Sequence, residues 1–207
     1  MSNKERARER AARVAAMRAE QKRKDRRRKY LIGGVTAAIF LGLVAAVAIP
    51  LLREARRPAE AAIQGVEEFE DLSAGHVTGA VEYAMSPPAG GDHDGVLQNC
   101  GVYDQPVRNE NAVHSLEHGA VWITYSPDLA GEQVAALTDM VREEDYALLS
   151  PYEGLESPVL LSAWGVQLAV SDVADPRVEA FMSEYLQGPQ TPEPGAPCFG
   201  GIGTPVT

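Results

Sequence analysis

The 207-residue chain has four histidines, His76, His93, His114 and His118, and all lie within one stretch of 43 residues. Imidazole is the commonest protein ligand for transition metals and titrates near neutral pH, so such grouping points first to metal binding. His114 and His118 stand four residues apart. On a helix that spacing puts both rings on one face, as a bidentate metal grip requires. His93 closes the loop Pro87-Pro88-Ala89-Gly90-Gly91-Asp92-His93, whose glycines allow sharp backbone turns. Together with His76 these residues could complete a site, and copper or zinc suits imidazole ligands best. Met85, two residues before Pro87, offers a thioether toward copper, although plain apolar packing is the preferred reading of it.

The segment His114-Ser-Leu-Glu117-His118 also spells H-x-x-E-H, the inverted zinc-protease signature, in which Glu117 would activate water. Gly119 and the β-rich run after it leave little room for the long helix such enzymes use. A third reading has the histidines bonding to backbone carbonyls around a buried seam, with Glu117 paired to a histidine or to Arg108. No nucleophile elbow, phosphate loop or dinucleotide fingerprint is present, so no catalytic residue and no organic cofactor is assigned. Cys100 and Cys198 are the only cysteines and lack the C-x-x-C spacing of a redox motif. They read as one disulfide tying the Pro/Gly-rich tail, 188–207, onto the domain.

The elements that must position these side chains are well punctuated. Ala120 to Tyr125 is rich in β-branched and aromatic residues and reads as a strand, ended by Ser126-Pro127-Asp128. A helix is expected from about Gly131 to Glu144, with Val134, Leu137 and Val141 on one face. Pro158–Trp164 and Val166–Val170 read as two strands turning near Gly165. A final helix starts at Asp175 as N-cap with Pro176 at its first position, and Gly188-Pro189 stops it. Strands interleaved with helices predict an α+β fold, an antiparallel sheet with helices on one face.

Charge divides the chain. Residues 1–29 hold thirteen Lys and Arg against four acids, a net charge near +9. From Pro58 onward there are three basic residues against 24 acids, near −21. Between them, Leu31 to Leu52 carries no charge. About 20 apolar residues cross a bilayer, so 30–52 reads as a transmembrane helix. The positive-inside rule places the basic head, 1–29, in the cytoplasm, where anionic lipids attract it in preference to nucleic acid. Residues 53–75 form a juxtamembrane linker and 76–207 an extracytoplasmic globular domain. Ala46-Val47-Ala48 has the form of a signal cleavage site, an alternative that leaves the domain in the same compartment.

An ordered series of motifs then resembles a bacterial family known as DUF3105. The series comprises Pro87-Pro88 to His93, Cys100-Gly-Val-Tyr103, Val113 through Tyr125, Ala163-Trp164-Gly165, and Pro192-Glu193-Pro194 through Cys198. The family loop usually reads Pro-Pro-x-Ser-Gly-Pro-His, and Gly90 and Asp92 depart from it here. The resemblance implies a basic head with one membrane span, and it implies no reaction. The expected function is a membrane-anchored domain holding a metal through its histidines. The alternatives are a module docking on a membrane complex, or a hydrolase using Glu117 as base.

Overall fold

The computed structural model describes residues 63–206, together with Lys22 and Arg23, which are helical. Among the described residues no helix is long and apolar enough to cross a membrane. The expected span at 30–52 and the rest of the basic head lie outside them. Residues 63–206 belong to one compact unit.

Six strands form one sheet: β1 (Val66–Glu68), β2 (Gly101–Val102), β3 (Val121–Tyr125), β4 (Ala147–Pro151), β5 (Val159–Ala163) and β6 (Val166–Val170). Three helices accompany them, α1 (Asn109–Glu117), α2 (Gly131–Arg142) and α3 (Pro176–Tyr185). The strand order is β1-β6-β5-β3-β4-β2. The fold is α+β as expected, but the sheet is mixed rather than antiparallel. β4 runs parallel to both β3 and β2, while β3–β5, β5–β6 and β6–β1 are antiparallel. The reason is the connection: α2 carries the chain back between β3 and β4, so β4 re-enters in the same direction as β3. β1 falls in the stretch read as linker and pairs with β6, Val66 opposite Leu168. The sheet therefore begins before His76.

Strand registers sort the side chains onto two faces. Val121, Ile123, Ala147, Leu149, Val159, Leu161, Ala163, Leu168 and Val170 face one way and form the main core. Against them pack Leu137 and Val141 of α2 and Val178, Phe181 and Met182 of α3. Burying a side chain such as Phe181 stabilises by about 1.5–3 kcal/mol. The opposite face carries Trp122 and Leu148 beside the polar Ser150, Ser162 and Gln167. On it lie Ala112 and Leu116 of α1 with Tyr103. Helices thus cover both faces, which corrects the one-face expectation. Polar strand side chains on this face are paired: Trp122 Nε1 donates to Ser150 Oγ at 3.0 Å, and Gln167 Nε2 donates to Ser162 Oγ and to the Pro87 carbonyl.

Candidate metal centre

α1 positions half of the cluster. Ala112, Val113 and Leu116 are fully buried, which docks the helix and sets its rotation. Within such a helix residues 114 and 118 share a face one turn apart. The helix ends at once after Glu117: Gly119 N–H donates to the Leu116 carbonyl at 2.9 Å and Ala120 N–H to the Ser115 carbonyl at 3.0 Å, a Schellman closure. It requires a left-handed residue, and Gly119 has φ +93°. His118, the C-cap, is thereby held beside the end of the helix.

Two extended segments bring the other half. His76 and His93 form a bridge, with Val77 N–H donating to the His93 carbonyl and His93 N–H to the Gly75 carbonyl. The loop before His93 is fixed on the second face of the sheet through Gly165 N–H, which donates to the Ala89 carbonyl at 2.7 Å. The Trp164 ring meets the His93 ring edge-on, with centroids 6.0 Å apart. Arg108 braces the following turn by pairing with Asp94 at 2.8 Å and with Glu110 at 2.9 Å. The Arg108 guanidinium and the Val96 N–H hold the Asp94 carboxyl below the usual carboxylate range, the amide bond being the larger influence.

The hydrogen bonds decide the tautomers. His93 Nδ1 lies 2.8 Å from the Gly91 carbonyl, His114 Nδ1 2.7 Å from the Asp94 carbonyl, and His118 Nδ1 2.8 Å from the Pro197 carbonyl. A carbonyl only accepts, so in each ring Nδ1 carries the proton and donates it. In the neutral ring Nε2 is then left with a lone pair, and these three nitrogens face inward. His93 Nε2 is 3.0 Å from Glu117 Oε2, and His114 Nε2 is 3.1 Å from His118 Nε2. His76 Nε2 is 3.7 Å from the same Glu117 oxygen. With the rings neutral, acceptor faces acceptor at hydrogen-bond distance in the His93–Glu117 and His114–His118 pairs, an arrangement that a proton or a cation between the partners satisfies. Burial, reinforced by the neighbouring imidazoles and opposed by the Asp94 carbonyl, pushes His114 below the usual histidine value and favours its neutral form. Fixing a ring through one nitrogen so that the other can ligate is how metal-site histidines are held.

Ligand atoms of His76, His93, His114 and Glu117 all lie within 4.8 Å of one another, as do those of Glu117, His118 and Glu193. All four sequence candidates therefore gather in one place. His93, His114 and His118 are buried, and only His76 is open to solvent, with its side chain 53% exposed. Glu117 turns to His93 and His76, while Arg108 pairs with Asp94 and Glu110. The carbonyl-bonding reading and the metal reading are thus compatible, since each buried ring bonds a carbonyl at Nδ1 and leaves Nε2 able to hold an ion. Glu193 was missed as a site residue. It lies 75 residues beyond His118 in a Pro-rich tail, and no local pattern marks it. The Cys100–Cys198 disulfide is formed, with Cα atoms 5.4 Å apart, and it secures that tail.

The family model for the proteins of unknown function called DUF3105 matches residues 76–200, and the chain belongs to that family. No curated protein and no solved structure matches the chain.

Proposed function

We propose that this DUF3105 domain binds a divalent transition-metal ion through His76, His93, His114 and Glu117, and that the segment 30–52 holds it on the outer face of a membrane. The observation that carries the reading is the set of inward lone pairs. Three imidazoles, each anchored at Nδ1, aim Nε2 at a carboxylate or at one another. The donor set of imidazole nitrogens and a carboxylate, without thiolate, suits zinc or copper(II). The strongly acidic body favours cation approach, and a disulfide suits an oxidising compartment. Glu117 Oε2 sits within the ligand cluster, which supports a ligand role over that of a free general base. A docking module is the second reading, favoured by the exposed apolar side chains Phe199, Ile202 and Val206 on the tail.

The test is metal content and melting of the full-length chain after chelation and reloading with zinc or copper(II). Free metal at 100 times its dissociation constant stabilises the folded state by about 2.7 kcal/mol. For a 147-residue unit that raises Tm by about 9 °C. His114→Ala should abolish both retention and shift. Metal-free protein with an unchanged Tm would refute the proposal and direct attention to protein partners.

A further inference from the structure

The cluster holds more ligands than one tetrahedral ion takes. Four protein ligands close a structural zinc site. Here six residues converge in two overlapping sets, and Glu117 belongs to both. We propose that the site is a two-metal centre. The first position is served by His76, His93 and His114, the second by His118 and Glu193, and the Glu117 carboxylate is shared between them. This rests on the metal-binding reading above and adds the second ion, its ligands and their dependence on the tail.

Three observations support it. The two sets meet at the His114–His118 pair, whose Nε2 atoms are 3.1 Å apart. With Nδ1 of both rings committed to carbonyls, the neutral rings turn two lone pairs toward one another, and a cation on each ring relieves that repulsion. A carboxylate has two oxygens, and metals in two-metal sites stand about 3.5–4 Å apart, a span that one shared carboxylate bridges. The tail, finally, is seated on the cluster. Glu193 N–H donates to the Glu117 carbonyl at 3.0 Å, the Pro197 carbonyl accepts from His118 Nδ1, and Glu193 Oε2 lies 3.5 Å from His118 Nε2. Glu193 is thus delivered to the one buried imidazole that the first set does not use. Charge is consistent as well: two divalent cations face two carboxylates and four neutral imidazoles, leaving net positive charge for solvent-derived or substrate anions.

Glu193 is the informative position, because its side chain is 56% exposed and its removal leaves the core untouched. Full-length protein is titrated with copper(II), and bound metal is compared with the spins seen by electron paramagnetic resonance. The wild type should take up two equivalents, with fewer spins than copper because adjacent ions couple. Glu193→Gln should bind one equivalent with one spin per copper and melt normally without metal. One equivalent in the wild type would overturn the two-metal centre while leaving the single site standing. Two uncoupled equivalents, or two coupled equivalents in Glu193→Gln, would overturn the ligand assignment. No bound copper or zinc would overturn both readings.

Discussion

Replacing both Cys100 and Cys198 by serine should cost the folded unit more stability than any surface change and should also weaken the proposed metal site. The bridge joins residues 98 apart. In the chain-entropy model, closing a loop of that length removes about 16 cal/mol/K from the unfolded ensemble, or about 4.7 kcal/mol at 25 °C. Unfolding entropy is about 2.1 cal/mol/K per residue, so the 147-residue unit changes by about 0.31 kcal/mol per degree, and the loss corresponds to about 15 °C in Tm. The tail would still be bonded through Asn99 N–H to the Ile202 carbonyl, Ile202 N–H to the Leu97 carbonyl and Val206 N–H to the Val102 carbonyl. The native arrangement therefore has the means to survive at 25 °C. Pro197 and Glu193 lie on that tail, so His118 loses the security of its carbonyl partner and the proposed second metal position loses its carboxylate. The assay is scanning calorimetry of the oxidised wild type and the double serine variant, each with and without copper(II). A loss under about 4 °C, with copper uptake unchanged, would refute the reasoning, because the backbone bonds alone would then suffice to seat the tail.

Two further outcomes follow from local geometry. Gly119→Ala places a Cβ 3.0 Å from Thr191 Oγ1 and 3.1 Å from Gln187 Cα at φ +93°. It should destabilise by about 1–3 kcal/mol, seen as a lower midpoint in urea at unchanged slope; a neutral result would show that the helix end can reclose without a left-handed residue. Asp175 caps α3, and its carboxyl is held below the usual carboxylate value chiefly by the Arg177 side chain and then by the Arg177 amide. A depressed folded value means a contribution present above the unfolded pKa of about 3.9 and lost as pH falls through the lower folded value. Tm measured between pH 6 and pH 2.5 should fall less steeply in Asp175→Asn, which keeps a capping oxygen but no titrating group; parallel curves would remove the assignment.

Much of the local structure was legible in the residues themselves. Asp175-Pro176 announces α3 because an N-cap acceptor and a preset φ act within one turn, and Asp175 does accept from Arg177 N–H. Gly165 marks the β5–β6 turn with φ +72°, and Val121–Tyr125 and Gly131–Arg142 fall within two residues of expectation. With only two cysteines the pairing had one solution, and the i, i+4 spacing of His114 and His118 carried their shared face.

What needed the tertiary structure is everything whose partner lies far away in the chain. β4 gave no alternating signal because all five of its residues are buried between β3 and β2. Its parallel direction, which makes the sheet mixed, follows from where α2 packs. β1 became a strand only because the free edge of β6 accepted it. The site shows the same division. Sequence alone named the four imidazoles, since histidine chemistry and local grouping are properties of the chain. Which nitrogen each ring presents, that Glu117 joins them and that Glu193 arrives beside His118 were decided by carbonyls and a tail that folding alone brings near, because hydrogen-bond direction is set by positions in space and not by distance along the chain.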